Sequence, residues 1–111
     1  MNAIVHFSVG LMLGMCILLR RPWAAQVKFP LIFASGVWAM IPDGWRLVGH
    51  VGLDGVALLA YRFHGSVLAN VFWLHQLLDR LETGEPILEM TTAVFLLCLC
   101  VGVFTMLNTW E

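Results

Sequence analysis

The chain has 111 residues, of which 60% are hydrophobic and 12% are charged, and its formal net charge is −1. Soluble domains carry about 25% charged residues, so this composition argues against a soluble domain and predicts an integral membrane protein. The near-neutral charge and the lack of a basic run exclude nucleic acid as a partner.

The first hydrophobic segment runs from residue 3 to residue 19 and ends before a pair of arginines. His6, Gly10 and Gly14 are spaced by four residues, so they lie along one stripe of a helix. Since glycines let a neighbouring helix approach closely, we expect His6 to face protein and not lipid. The residues before this segment include no basic group, so we interpret it as a retained helix and not as a signal peptide.

The second and third segments are short. The second spans residues 29–41, with a start that can reach back to residue 24, and it ends at a Pro-Asp-Gly turn. The third runs from residue 46 or 47 to residue 61. A helix of about 15 residues covers about 22 Å, less than the roughly 30 Å hydrocarbon core. The third segment therefore crosses the membrane, lies at its interface, or forms a half-inserted hairpin with the fourth.

The fourth segment spans residues 66–81 and the fifth spans residues 90–107. A connection that contains His64 precedes the fourth segment, and we interpret His64 as a turn residue. A polar break over residues 82–86 separates the two segments. Trp110 follows the fifth segment at a predicted membrane interface, where tryptophan is favoured.

These segments predict an all-α fold. We expect a polytopic integral membrane protein of the cell membrane, with five hydrophobic helices in a small bundle, or four if the third does not cross. No repeat, low-complexity tract or long linker divides the chain. The expected organisation is a single transmembrane helical domain over residues 1–111.

Two pairs of ionisable residues are the strongest indication of function. His50 and Asp54 are four residues apart, as are His75 and Asp79, and this spacing places both side chains on one helix face. Buried ionisable groups in a membrane need partners, a cation or a water-filled cavity. Because imidazole and carboxylate are common zinc ligands, the pairs are candidate metal ligands. The simpler explanation is that they are polar groups at helix ends.

If all five segments cross the membrane, the ionisable groups meet at one rim. His6 begins the first segment, Asp43 ends the second, and His50 begins the third. His75 and Asp79 lie near the end of the fourth segment, which returns to the same side. The Pro-Asp-Gly turn is a sufficient structural reason for Asp43 alone, so the prediction of a shared site depends on this convergence.

Four short motifs carry a family resemblance. They are His6-Phe7-Ser8-Val9-Gly10, Ile41-Pro42-Asp43-Gly44-Trp45, His50-Val51-Gly52-Leu53, and His75-Gln76-Leu77-Leu78-Asp79 followed by Thr83-Gly84-Glu85-Pro86. Their order resembles that in the small membrane-bound metal-dependent hydrolases, the family that includes LexA-binding inner-membrane proteins. Trp45 stands where that family has a second aspartate, and Asp54 and Gly55 stand where it has Thr-His. The resemblance therefore implies the family's fold more strongly than its activity.

The residues and the resemblance together predict a site for a divalent metal ion, zinc. Its predicted ligands are His6, Asp43, His50, His75 and Asp79. Bound zinc lowers the pKa of a water molecule and makes it a nucleophile. Asp54 is the predicted general base, and the predicted reaction is hydrolysis of an ester or phosphoester at the membrane surface.

Two other functions follow from the same residues. In one, the protein is a non-catalytic small transmembrane subunit of a larger membrane complex, and its histidines and aspartates form hydrogen bonds between helices or subunits. In the other, Asp54, His64 and Asp79 line a proton or ion pathway. The predicted partners are the lipid bilayer and, for the subunit, other membrane proteins.

Overall fold

The computed structural model describes residues 2–108, and within this range the chain is helical and has no strand. The three long helices are α1 (Ala3–Leu18), α2 (Ala25–Met40) and α6 (Pro86–Leu107). Between α2 and α6 lie three shorter helices, α3 (Trp45–His50), α4 (Asp54–His64) and α5 (His75–Arg80), and two 3-10 turns, Ile41–Gly44 and Val67–Val71. The prediction of an all-α fold is confirmed, whereas Trp110 lies outside the described residues.

Helix α1 packs against both α2 and α6, and its contact with α2 is close because glycines line it. A Cβ on Gly10 would lie 2.5 Å from the Ser35 carbonyl oxygen, and one on Gly14 would lie 2.9 Å from Ser35 Cβ. Ser35 Oγ donates a hydrogen bond to the Gly10 carbonyl at 2.7 Å. The predicted close approach along the glycine stripe is confirmed, and His6 on the same stripe is fully buried.

Hydrogen bonds join the end of α1, the start of α2 and the end of α6. Lys28 is fully buried, and its Nζ donates to Asn108 Oδ1 at 2.7 Å. The backbone N–H of Arg20 donates to the same oxygen at 3.3 Å. Helices α1 and α6 therefore run in one direction and α2 runs in the other. The short helices α3–α5 pack at the opposite end, where α1 begins and α2 ends.

The prediction of one continuous helix over residues 46–61 is wrong. Helix α3 ends at His50, and Gly52 follows with a φ of +85°. This left-handed conformation interrupts a helix and is open to glycine because glycine has no Cβ. A new helix, α4, begins at Asp54. Hydrophobic content alone did not reveal the break.

The prediction of one helix over residues 66–81 is also wrong. Trp73 and Leu74 have positive φ values of 55° and 57°, and α5 begins only after them. Such a conformation costs a non-glycine residue about 1–3 kcal/mol, so neighbouring contacts must hold it. The backbone N–H of Leu74 donates to the Asn70 carbonyl at 2.8 Å, and that of Leu77 donates to Asn70 Oδ1 at 2.9 Å.

Among residues 2–108, α6 is the one helix that is long and apolar enough to cross a membrane, with 22 residues and a mean hydropathy of 2.3. Helix α1 is apolar but has 16 residues. Helices α3, α4 and α5 have 6, 11 and 6 residues. The longest of these measures about 16 Å, roughly half of the hydrocarbon core, so the third and fourth predicted segments are too short as helices to cross.

Candidate metal centre

Five ionisable side chains meet at the end of the molecule where α1 begins and α2 ends. We call them the His–Asp centre. His6 lies near the start of α1, Asp43 in the 3-10 turn after α2, His64 at the end of α4, and His75 and Asp79 on α5. Two sets of three have ligand atoms within 4.8 Å of one another, His6 with Asp43 and His75, and His64 with His75 and Asp79. These buried groups can hold a metal ion.

Four close approaches in the centre join an imidazole nitrogen to a carboxylate oxygen. His64 Nε2 lies 2.9 Å from Asp43 Oδ1 and 3.2 Å from Asp79 Oδ2. His75 Nε2 lies 3.4 Å and 3.5 Å from the same two oxygens. Tetrahedral zinc with bonds of 2.0–2.2 Å separates its ligand atoms by about 3.3–3.6 Å. The two His75 distances lie in this range and the two His64 distances are shorter, so His64 would have to move outward to share an ion with the other side chains.

The orientation of His75 favours a cation at this point. Its Nδ1 lies 2.8 Å from the Ala39 carbonyl oxygen, which can only accept, so Nδ1 carries the proton. In neutral His75 the lone pair therefore lies on Nε2, which is 3.4 and 3.5 Å from carboxylate oxygens of Asp43 and Asp79. Two acceptors facing each other repel unless a proton or a metal ion lies between them. A carbonyl partner on the far nitrogen is also the usual arrangement in metal-binding histidines.

Several buried polar atoms of the centre make no hydrogen bond. They include His75 Nε2 and both carboxylate oxygens of Asp43. His64 Nε2 approaches Asp43 Oδ1 to 2.9 Å without the angles of a hydrogen bond. Unsatisfied buried groups cost about 1–3 kcal/mol each. Their grouping around one point supports the fit of this centre to a cation.

His6 holds two of these side chains in place. Its Nε2 donates a hydrogen bond to Asp79 Oδ1 at 2.9 Å. Its ring stacks on that of His75, with centroids 3.6 Å apart and planes 9° apart. Asp79 thus presents Oδ1 to His6 and Oδ2 to His64 and His75. Because His6 bonds to one oxygen of Asp79 and leaves the other to face His64 and His75, His6 fits the role of a positioning residue. His6 is also a possible metal ligand, in the set with Asp43 and His75.

Without a metal ion, the centre is held by opposite charges. Burial raises the pKa of Asp43, but the nearby His75 and His6 outweigh burial, so its pKa lies below the ordinary 3.8. Burial lowers the pKa of His75, but Asp43 and the hydrogen bond to Ala39 outweigh it, so its pKa lies above the ordinary 6.5. The metal-free form therefore favours an imidazolium on His75 beside a carboxylate on Asp43.

The structure brings together four of the five predicted ligands, His6, Asp43, His75 and Asp79, and adds His64. The interpretation of His64 as a turn residue assumes a continuous helix, in which 11 residues would separate His64 from His75 by about 16 Å, too far to share one ion. Instead α4 ends at His64, and the chain turns at Gly65. The two imidazole rings are then 4.9 Å apart. The glycine directly after His64 is the signal that pointed to this bend.

The structure does not bring His50 or Asp54 into the centre. His50 is the last residue of α3 and Asp54 the first of α4, and both are exposed. Asp54 and His64 are at opposite ends of one helix, ten residues or about 15 Å apart. A general base must lie within hydrogen-bond reach of the proton it accepts. Asp54 is too far from the His–Asp centre to act as its general base.

A cavity of about 430 Å³ adjoins the centre. His64 and Asp79 form part of its wall, together with Trp45, Arg46 and Tyr61. The rings of Trp45 and Tyr61 meet edge to face at 4.9 Å, so Trp45, at the position of the family's second aspartate, supplies an aromatic wall and no ligand. The cavity is large enough for the head group of a lipid or a small ester.

The chain matches no protein-family model, no curated protein and no solved structure. The resemblance to the membrane-bound hydrolases therefore stays a prediction based on the four motifs. Three features of the molecule indicate its function: the geometry of the His–Asp centre, the cavity beside it and the apolar surface of the long helices.

Proposed function

We propose that this protein is a multi-pass membrane protein that binds a divalent metal ion, zinc, in the His–Asp centre. We further propose that it hydrolyses an ester or phosphoester at the membrane surface, as the resemblance to metal-dependent hydrolases suggests. The observation that carries the proposal is the unpartnered His75 Nε2, which lies 3.4 and 3.5 Å from carboxylate oxygens of Asp43 and Asp79 while Nδ1 is bonded to the Ala39 carbonyl. Zinc is the cation that best suits nitrogen and oxygen ligands at this spacing.

The membrane part of the proposal is supported by the surface of the three long helices. Large hydrophobic side chains are exposed on each of them, such as Ile17 on α1, Phe33 on α2 and Phe95 on α6. Contiguous exposed apolar surface of this extent marks contact with lipid or protein. In the proposed arrangement α1, α2 and α6 cross the bilayer, and α3–α5 lie at one rim with the His–Asp centre.

The proposed ligands are His64, His75, Asp43 and Asp79, and His6 positions Asp79. A bound zinc ion supplies a water molecule of lowered pKa and polarises the ester. Glu82 is the proposed general base in place of Asp54, because it is exposed and lines the cavity together with His64 and Asp79. Glu89 lines the cavity too, and it is buried and accepts two hydrogen bonds of 2.7 and 3.1 Å from Thr83.

Metal analysis of the purified protein tests the centre. We expect about one zinc per chain in the wild type and a strong loss in His75→Ala and His64→Ala. His50→Ala is the matched control, because it removes an exposed imidazole outside the centre. Wild-type protein without metal after zinc loading, or equal zinc content in His75→Ala and His50→Ala, would reject the proposed centre.

Cysteine labelling tests the membrane arrangement. Cys16 on α1 and Cys98 on α6 are both exposed. In a bilayer they would be shielded by lipid, so a charged, membrane-impermeant maleimide should label neither in intact membranes and both after detergent denaturation. Fast labelling of both cysteines in intact membranes would show that α1 and α6 face water.

A non-catalytic subunit of a membrane complex is the second candidate. It is favoured by the charge pairing of His75 and Asp43 and by the bond from His6 to Asp79, which join α1, the 3-10 turn Ile41–Gly44 and α5 without an ion. In that case the protein purifies as part of a stable larger assembly and holds no metal. A metal-loaded protein that hydrolyses esters on its own excludes this candidate.

A further inference from the structure

An apolar groove runs along the contact between α1 and α6. Its first part, about 410 Å³, is lined by Val9 and Met12 of α1 and by Leu88 and Leu96 of α6. A second cavity of about 270 Å³ continues it toward Leu19 and shares the walls Met12 and Leu96. We call the two together the α1–α6 groove. It follows α1 from Val5 to Leu19, which is about 21 Å of helix.

The groove meets the cavity beside the His–Asp centre. Glu89 lines both the cavity and the groove, and its buried carboxylate accepts hydrogen bonds from Thr83. On one side of Glu89 the walls include His64, Asp79 and Arg46, and on the other side they are almost all apolar. A polar compartment with candidate metal ligands thus adjoins an apolar one, with Glu89 as their common wall, and this polarity matches an amphiphile.

We propose that the cavity and the α1–α6 groove together bind one lipid, with its phosphate ester in the cavity and one acyl chain in the groove. This inference rests on the proposed function, because it names the class of substrate for the same centre. Phosphate oxygens are ligands for a divalent cation, and a guanidinium binds phosphate through paired hydrogen bonds. Arg46 supplies that guanidinium, since it is exposed and lines the cavity.

The head group selects the lipid and the groove places its ester. In a bilayer, any lipid tail is as apolar as the groove, so the chain itself adds little free energy. The contacts of the phosphate with the ion and Arg46 distinguish one lipid from its neighbours. The groove then fixes the direction in which the chain leaves the cavity, and so brings the bond to be cleaved next to the centre.

Photolabelling of the full-length protein in phosphatidylcholine nanodiscs tests this binding mode. The probe is hexadecylphosphonate with a diazirine near the end of its chain, which cannot be hydrolysed as an ester. In zinc-loaded protein we expect labels on the groove residues Met12, Leu96 and Leu99, competed by excess hexadecylphosphonate and not by hexadecanol, which has the chain without the phosphonate. Arg46→Gln should weaken this competition while zinc content stays at the wild-type level.

Two tryptophan variants of α6 separate the groove from general lipid contact. Leu96→Trp places an indole where the two parts of the groove share walls, and we expect labelling to fall about tenfold because the chain is displaced. Val101→Trp adds the same indole to an exposed position outside the groove and should label like the wild type. Thermal unfolding of both variants shows whether they are folded.

The outcomes separate this inference from the proposed function. Selective, competed groove labelling in a protein that binds no zinc would keep the lipid site and reject the metal centre. Zinc binding together with labels spread evenly over α2 and α6 would reject the lipid site alone. Cross-links between two protein copies through the groove would also reject it, because a second copy would then be the occupant.

Discussion

Substitution of His6 by phenylalanine is the sharpest test of how the centre is held. Phenylalanine keeps an aromatic ring against His75 but has no N–H to donate to Asp79 Oδ1, which His6 Nε2 approaches to 2.9 Å. Removing a hydrogen-bond partner of a metal ligand lowers metal affinity about 10–100-fold, or about 1.4–2.7 kcal/mol. We therefore expect zinc affinity to fall by this amount in His6→Phe while the protein stays folded.

The measurement is a competition between the protein and a chromophoric zinc chelator at fixed pH, with thermal unfolding as a check on the fold. His50→Phe is the control, because His50 is exposed on α3, and it should bind zinc like the wild type. An unchanged affinity in folded His6→Phe would refute the positioning of Asp79 by His6. A loss far above 100-fold would also refute it and place His6 among the direct ligands.

Three further predictions concern pH, packing and catalysis. Without metal, protonated His75 stabilises the fold fully below its ordinary pKa of 6.5, and this stabilisation is lost as the pH rises through its raised pKa in the folded protein. Ionised Asp43 stabilises the fold above its ordinary pKa of 3.8, and this stabilisation is lost as the pH falls through its lowered pKa. The metal-free protein should therefore be most stable to unfolding between pH 3.8 and pH 6.5, whereas zinc affinity should rise with pH because zinc replaces the His75 proton. Gly10→Ala should destabilise the fold by about 1–3 kcal/mol, because its Cβ would meet the α2 backbone, whereas Gly102→Ala, with nothing within 4 Å, should be neutral or stabilising in the same unfolding assay. Glu82→Gln should lower kcat for ester hydrolysis about 10²–10⁴-fold and leave zinc content unchanged, and an unchanged kcat would remove it as the general base.

Local sequence patterns were sufficient to predict most of the centre. The four-residue spacing of His75 and Asp79 places both on one face of α5, and the glycine stripe turns His6 toward α2. The turn after the second segment places Asp43 beside them. Each of these inferences depends on helix geometry or on a turn, which short stretches of sequence encode.

The predictions that failed depend on breaks within apolar stretches. Hydrophobic content did not distinguish a continuous helix from two short helices joined by the left-handed residues Trp73 and Leu74, because no glycine or proline marks that turn. The predicted meeting of the ionisable groups at one rim depends on five membrane crossings. It arises instead because α3–α5 fold back at one end of the long helices, which brings His64 to His75. Such long-range packing leaves little local trace in a single sequence.

The packing of α1 on α2 has a consequence for how the chain assembles during synthesis. The glycine-lined contact uses only residues 3–40, which are synthesised before residues 41–111, so this helical hairpin can form before α3–α6 are made. Asp43 follows the hairpin directly, and Asp79 is synthesised 36 residues after Asp43. In the proposed metal-bound form, the ion would therefore be captured only once α5 has been made.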